Sequence, residues 1–432
     1  MDVFRIEGPV RLSGTVAVNG SKNATLPIMA AAILAPGQSL LKGAPRLSDI
    51  SVFSQLLDGL GCKVTTESNG DISIDSTTIG KAVGEYDIVR RMRAGICILG
   101  PLLVRVGRAE VSMPGGCAIG YRPVDIHLRG LRELGAQINL ENGYIVADAT
   151  RGLRGAEIFL GGPFGSTVLG TANVMMAATL AKGTTVIESA ACEPEVADLA
   201  NCLNTMGAKI TGIGSPRLVI EGVKQLKPFK YEVIPDRIEA GTFMVAAAIT
   251  KGCLHIHNCR LGDLMAVVDK LRSIGVTVEA ENSGSPRQSE AKPGCIVACS
   301  VRVKPTDITT QPHPGFPTDL QAQFMALLAL AEGNSIIIEK IFPDRFMHVA
   351  ELSRMAADLR KEGSLVLVSG VNKLIAAPVM ASDLRASAAL VLAALAAEGT
   401  TIINRVYHID RGYEKIEERL NPVGAKIIRE SE

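Results

Sequence analysis

Ala177-Ala178-Thr179-Leu180-Ala181-Lys182-Gly183-Thr184-Thr185-Val186-Ile187 and, far downstream, Ala393-Ala394-Leu395-Ala396-Ala397-Glu398-Gly399-Thr400-Thr401-Ile402-Ile403 spell the same unit twice. In each, an Ala- and Leu-rich stretch with helical bias runs into a glycine, and β-branched residues follow, which reads as helix, stop, strand. The punctuation recurs at Gly37, Gly107, Gly183, Gly252, Gly333 and Gly399, about 72 residues apart on average, so six units fill the 432 residues. A second, amphipathic helix is expected after most of these strands. Its apolar face reads Ile50, Phe53, Leu57, Leu60 in one copy, Val196, Leu199, Leu203, Met206 in another, and Leu264, Val267, Leu271, Ile274 in a third. Gly61, Gly207, Gly275 and Gly424 fall just past the last turn of four such helices. Strands are expected after them at 63–65, 209–211, 277–279 and 426–428.

One such unit cannot bury its helix face by itself, so several must pack their helices against one another. The fold class expected is therefore α/β (α+β): two similar inside-out α/β barrel domains, each of three βαβαββ-like units, with helices inside and sheets outside. Residues 22–231 would form the first domain. Residues 1–21 with 232–432 would form the second, the chain crossing near Gly20-Ser21 and 229–234. A substrate cleft is expected between the two. The polar stretch 281–293 interrupts a unit and is expected to be an exposed hairpin loop.

Composition narrows the classes of function. Hydrophobic residues make up 47% and charged residues 21%, and the net charge is +1, which gives no reason for nucleic acid or an anionic membrane as partner. The longest apolar runs, 94–104 and 388–397, are too short to span a bilayer. Residues 1–14 read as strand and turn rather than as a leader. Nine cysteines without a C-x-x-C spacing point to reduced thiols in a cytoplasm. Cys295 with Cys299, and His255 with His257, lie in strand-like runs without further clustered ligands, so no metal is assigned and no cofactor is expected.

The chemistry-bearing residues sit where periodic patterns stop. Met113-Pro114-Gly115-Gly116-Cys117-Ala118-Ile119-Gly120-Tyr121-Arg122-Pro123-Val124-Asp125 holds three glycines and two prolines, which excludes a regular element and places the Cys117 thiol on a loop. Arg122, Arg90, Arg91 and Arg93 are close in sequence, and fixed cations stabilise a thiolate. The alternative is a small buried hydrophobe. Gly20-Ser21-Lys22-Asn23 opens the apolar run 26–34, so Lys22 and Asn23 stand at a helix start, where backbone N–H groups favour an anion; a solvated cap is the alternative. His313-Pro314-Gly315-Phe316-Pro317-Thr318-Asp319 runs into an apolar helix, and Asp319 reads either as an N-cap or as a functional carboxylate. Asp383 and Arg385 open another Ala-rich helix, and Tyr407-His408-Ile409-Asp410-Arg411-Gly412-Tyr413 precedes the final one. If Lys22, Arg93, Arg122, Arg345, Arg385 and Arg411 converge, the ligand is strongly anionic.

Taken together, Gly-Ser-Lys22-Asn23-Ala, Pro-Gly-Gly-Cys117-x-Ile-Gly-x-Arg122-Pro-Val-Asp125, Pro-x-Phe-Pro-Thr-Asp319, Arg345-Phe-Met-His, Ser-Asp383-Leu-Arg385-Ala-Ser and Tyr-His-Ile-Asp-Arg411-Gly-Tyr resemble the UDP-N-acetylglucosamine 1-carboxyvinyltransferase family of enolpyruvyl transferases. The resemblance runs from about residue 4 to 429. It implies two inside-out barrels closing around substrate and the first committed step of peptidoglycan synthesis. The partners implied are phosphoenolpyruvate and UDP-N-acetylglucosamine, with the chain acting as a monomer or weak homo-oligomer.

By this resemblance Cys117 protonates the enol methylene and also attacks the activated carbon. Asp319 takes the sugar hydroxyl proton, and Asp383 assists proton movement or product release. Lys22, Arg122 and Arg411 hold phosphoenolpyruvate, supported by Arg345 and Arg385, because guanidinium forks suit phosphate and carboxylate. Asn23, Arg93, Pro123, Val124, Asp125, Ile126, His127 and Ile341 match substrate contacts. The chain departs from the family at Phe164-Gly165-Ser166-Thr167-Val168-Leu169-Gly170-Thr171, where Ser-Val-Gly-Ala-Thr is typical, and Ser166, Thr167 and Val168 are the nucleotide contacts expected there. A cysteine at 117 implies alkylation by the epoxide fosfomycin. The sister 3-phosphoshikimate 1-carboxyvinyltransferases share fold and donor but lack the Pro-Gly-Gly-Cys loop. A paralogue that binds UDP-sugar without turnover is opposed by the intact Lys22, Cys117, Asp319, Asp383 and Arg411.

Overall fold

The computed structural model describes residues 2–115, 123–281 and 293–431. Among them the strands form six four-stranded sheets and one two-stranded ribbon. The sheets share one plan. A short edge strand lies parallel to its neighbour, and a hairpin pairs antiparallel beyond it. Strand Ile308–Thr309 runs parallel to Asn334–Ile338, which pairs antiparallel with Leu365–Ser369, itself paired with Asp358–Glu362. Strand Glu157–Phe159 with Thr184–Glu188, Arg217–Glu221 and Lys209–Thr211 repeats the pattern. Along the chain the three sheets formed from one continuous stretch read strand, helix, strand, helix, strand, strand.

The chain packs as two compact units, residues 20–234 and residues 2–19 with 235–431. Three sheets are completed by strands remote in sequence. Ser13–Ala17 pairs parallel with Cys253–His257, and Lys230–Glu232 pairs parallel with Gln38–Lys42. The first strand, Asp2–Gly8, lies between Gly399–Asn404 and Ile427–Ser431.

Each unit has its own apolar core. Helices Lys22–Ala31, Arg237–Ile249, Gln321–Leu328 and Leu384–Ala396 are buried almost all round; in the first, only Asn23 is not fully enclosed. A helix apolar on every side belongs in a protein interior, which explains why its residues are Ala, Met, Val and Leu. The strands instead alternate, as in Thr184–Glu188, where Thr185 and Ile187 are buried and Thr184 is exposed. All twelve face residues expected on the second helices, from Ile50 to Ile274, are buried.

The glycine punctuation holds with one exception. Gly37, Gly107, Gly183, Gly333 and Gly399 take positive φ, as do the helix stops Gly61, Gly207, Gly275 and Gly424. At the fourth repeat the left-handed residue is Lys251, at φ 51°. Gly252 is required there for a different reason, because a Cβ on it would stand 2.1 Å from the Leu12 carbonyl oxygen. The hairpin loop expected at 281–293 lies mostly outside the described residues. The strands flanking it, Thr277–Ala280 and Gly294–Ala298, pair antiparallel with Ala280 opposite Cys295.

Leu203, fully buried on helix Pro194–Thr205, and Leu140, 62% exposed on strand Gln137–Glu141, make a test of this burial pattern. Leu203→Ala is expected to cost about 2–5 kcal/mol in urea unfolding, and Leu140→Ala at most about 0.5 kcal/mol. Equal effects would contradict the core placement.

Candidate active site

In the unit of residues 235–431, helix Gln321–Leu328 is entered through the 3₁₀ turn Thr318–Leu320. Phe316 anchors the loop before it by meeting Phe324 edge-on, centroids 4.9 Å apart. Asp319 does not cap the helix. Its Oδ1 accepts a 2.7 Å hydrogen bond from Arg345 Nη1, and its Oδ2 lies 3.4 Å from Arg385 Nη2. Both arginines are buried, while the Asp319 side chain is 26% exposed. Burial pushes the Asp319 carboxyl up. The charges of Arg345, Arg385 and Arg237 outweigh burial and hold it well below the ordinary value of 3.8. The group is therefore an anion at neutral pH, compensating two enclosed cations.

A buried glutamate braces this pair. Glu339 accepts from the Thr310 hydroxyl and the Ile341 and Phe342 amides at Oε1, and from the Thr318 hydroxyl at Oε2. Thr318 Oγ1 in turn accepts from Arg345 Nη1 at 3.0 Å. One carboxylate thus ties the Asp319 turn to the Ile341–Arg345 loop. Asp383 does what Asp319 does not: its Oδ1 caps helix Leu384–Ala396, accepting from the Arg385 and Ala386 amides at 2.8 and 3.1 Å. Arg385 begins that helix, and its Nε and Nη1, both buried, have no hydrogen-bond partner among the described residues. Burial pushes the neighbouring His348 imidazole down to about 4, with Arg345 adding to the effect and Asp383 opposing it. Arg411, half-buried, closes the 3₁₀ turn Val406–Arg411.

In the unit of residues 20–234, Ser21 caps helix Lys22–Ala31, accepting from the Ala24 amide. This leaves Lys22 buried at the helix start with Nζ 2.8 Å from Asp49 Oδ2. Asn23 is half-buried beside it. Arg93 donates to the Pro123 carbonyl at 3.0 Å, which fixes the chain on which Val124 precedes helix Asp125–Glu133. From that helix Arg129 donates to the Phe159 and Gly161 carbonyls, and Ile126 packs so close to Gly162 that a Cβ there would stand 2.7 Å from it. Gly162 pairs with Gly165, and Gly161 with Ser166, so Ile126 and Ser166 are brought to one place. The His127 ring is 3% exposed and bonded to Asn173, and so faces its unit's core. Thr167 caps helix Val168–Ala178, accepting from the Gly170 amide at 3.2 Å.

Cys117 and Arg122 lie outside the described residues. The loop's near root is described: a Cβ on Gly115 would stand 1.7 Å from the Arg90 carbonyl oxygen, so only glycine lets the chain pass there. Arg90 itself reaches the Tyr86 ring and Asp87.

Comparison with known proteins gives the family. A family model described as EPSP synthase (3-phosphoshikimate 1-carboxyvinyltransferase) matches residues 6–420. The UDP-N-acetylglucosamine 1-carboxyvinyltransferase of Trichlorobacter lovleyi is 52% identical over 432 residues, all of both chains. The chain belongs to the enolpyruvyl transferase family. The enzyme of the same name from Methylacidiphilum infernorum is 51% identical over 99% of each chain. Among solved structures, the enolpyruvyl transferase NikO of Streptomyces tendae superposes with a TM-score of 0.87 at 24% identity, covering 99% of this chain and 98% of that one. EPSP synthase of Acinetobacter baumannii gives 0.76 at 18%, both chains fully covered. These structures share the enolpyruvyl transferase fold. Among the described residues no helix is long and apolar enough to cross a membrane.

Sequence reasoning missed Asp49, Glu339 and His348. Ser48-Asp49 looks like an ordinary helix start, His348 enters only as part of a motif, and nothing local marks Glu339 as a brace. The Asp319 geometry has a pH consequence. A carboxyl held below its unfolded value adds stability that is present above the unfolded value and lost as pH falls through the native one. Asp319→Asn is expected to cost about 2–3 kcal/mol at pH 7 by stranding two buried guanidiniums. In urea unfolding from pH 7 to 3, the gap should narrow below about pH 4. A gap constant across that range would contradict the ion pairing.

Proposed function

We propose that this chain transfers the enolpyruvyl group of phosphoenolpyruvate to the 3-hydroxyl of UDP-N-acetylglucosamine, releasing phosphate, as the first committed step of peptidoglycan synthesis. The observation that carries the site reading is Arg385, with two buried guanidinium nitrogens unpartnered among the described residues, beside the carboxylate of Asp319. A buried cation with open donors fits an anionic ligand. In this reading Lys22, Arg122, Arg345, Arg385 and Arg411 are the ligands of phosphoenolpyruvate. Asn23, Arg93, Asp125, Ile126, Ile341 and the Ser166 ribbon contact the UDP-sugar. Each unit is read as an inside-out α/β barrel, supported by helices enclosed on all sides and strands that alternate.

The enol carbon bearing phosphate becomes electrophilic only when its methylene takes a proton. Cys117 is the proposed donor, and its sulfur attacking the same carbon gives the phospholactoyl adduct. The carbon–sulfur bond then breaks, returning the Cys117 thiolate, as the sugar oxygen bonds to that carbon and Asp319 accepts its proton. Loss of phosphate, with the Cys117 thiolate taking a proton from the new methyl group, restores the double bond. Asp319 is a weak base while two guanidiniums face it. An anion seated on Arg385 neutralises part of that charge, so donor binding itself raises the carboxylate's basicity where the proton must go. Asp383, fixed as a cap, holds Arg385 and assists proton movement.

Incubation with phosphoenolpyruvate and UDP-N-acetylglucosamine should release phosphate, while shikimate 3-phosphate as acceptor should give none; the reverse would favour the sister reaction. Cys117→Ala should abolish turnover yet keep UDP-sugar binding, and fosfomycin should add its mass to the native chain but not to this variant. Asp319→Ala should lower kcat by at least about a hundredfold with KM changed far less. Full activity in either variant would remove that residue from the chemistry.

A further inference from the structure

Behind Asp319 and Arg385 lies a buried polar cluster joining Tyr413, Thr242 and Gln323, in which Gln323 Oε1 has no partner among the described residues. Tyr413, Thr242 and Gln323 are all at most 1% exposed, and they come from three separate parts of the unit. Thr242, on helix Arg237–Ile249, spends its hydroxyl proton on the Ile238 carbonyl at 2.8 Å. Its oxygen is thus left to accept from the Tyr413 hydroxyl, also at 2.8 Å. Gln323 Nε2 has two hydrogens. One goes to the Asp319 carbonyl at 3.0 Å, and the other is shared by the Tyr413 and Thr242 oxygens at 3.2 Å each. The face of the Tyr413 ring carries the Arg385 guanidinium, its carbon 5.4 Å from the centroid. Gly412 permits this approach, since a Cβ on it would stand 2.1 Å from Leu384 Cδ1, at the start of the Arg385 helix.

From this we infer that Tyr413, pinned by Thr242 and Gln323, is a positioning residue for the transfer reaction: its ring sets the plane of Arg385 while the same amide holds the Asp319 backbone, so the two charged groups are registered by one buried clasp. The inference rests on the functional reading above, in which Arg385 holds the donor and Asp319 takes the proton. It adds a residue that touches neither substrate. A guanidinium free to rotate would still be an attractive cation, but it would present its open nitrogens to a range of directions, and orientation carries much of the rate.

The test is a double-mutant cycle with steady-state kinetics and thermal melting. Tyr413→Phe keeps the ring and removes the hydroxyl. It should lower kcat about tenfold, as expected for one lost charge-orienting hydrogen bond, with KM for UDP-N-acetylglucosamine unchanged. In an Arg385→Lys background, which has no planar group to orient, the same change should add less than about twofold. Thr242→Val, which removes the accepting oxygen together with its own bond to the Ile238 carbonyl, should reproduce the kcat loss in smaller degree and serves if Tyr413→Phe melts early. Full turnover in Tyr413→Phe and Thr242→Val, or an equal factor for Tyr413→Phe in both backgrounds, would overturn the clasp. If Arg385→Lys and Asp319→Ala themselves turn over at the native rate, the functional reading fails first, and that result is distinct from a clasp that fails alone.

Discussion

A helix buried on all sides has to begin somewhere, and its first N–H groups must find partners there. In this chain that constraint gathers the chemistry. Helix Lys22–Ala31 opens on Lys22, helix Val168–Ala178 on Thr167, helix Arg237–Ile249 on Asp236, helix Gln321–Leu328 on the Asp319 turn, and helix Leu384–Ala396 on Asp383 and Arg385. The bodies of these helices are Ala- and Leu-rich because they pack mainly against apolar neighbours. Their beginnings are polar, and within their bodies the few polar side chains, such as Asn173, Thr242 and Gln323, are hydrogen-bonded. At helices Lys22–Ala31 and Leu384–Ala396 the positive end of the dipole lies beside a buried cation, Lys22 or Arg385, and such places favour anions. An enolpyruvyl transferase needs that arrangement, since its donor carries a phosphate and a carboxylate.

The two aspartates at helix starts show how similar sequence contexts part ways. Asp383 accepts from the Arg385 and Ala386 amides and is a cap. Asp319 leaves capping aside and faces Arg345 and Arg385. The difference comes from the 3₁₀ turn at Thr318–Leu320, which turns the Asp319 side chain away from its own helix, and from Glu339, which fixes the turn and the Arg345 loop together. A carboxylate so placed is ionised and weakly basic until something neutralises its neighbours. In the proposed reaction, coupling basicity to donor binding would keep Asp319 quiet as a proton acceptor in the free protein.

Much of this was legible in the sequence. The six-fold glycine punctuation and the i, i+3, i+4 faces foretold the repeats, because both follow from local geometry: a left-handed residue ends a helix, and a helix face has a fixed period. The motif residues Lys22, Asp319, Arg345 and Arg385 were marked by where periodicity stopped. What stayed hidden depends on residues far apart in sequence. Asp49 reads as an ordinary helix opener until Lys22 is seen against it, and Glu339 lies at the end of a strand with nothing to mark it. The cap at Asp383 and the ion pairs at Asp319 could not be told apart from dipeptides alone. Gly252 was read as one more helix stop, whereas the tight contact with Leu12 requires it.

The claim on which the account turns is that Arg345 and Arg385 hold Asp319 ionised and weakly basic until an anion joins them. The direct measurement is the carbon-13 titration of the Asp319 side-chain carboxyl, in the free protein and with phosphoenolpyruvate bound to Cys117→Ala. The account predicts a midpoint well below 3.8 in the free state and an upward displacement on binding. A midpoint near the ordinary carboxylate value, unmoved by the ligand, would contradict it.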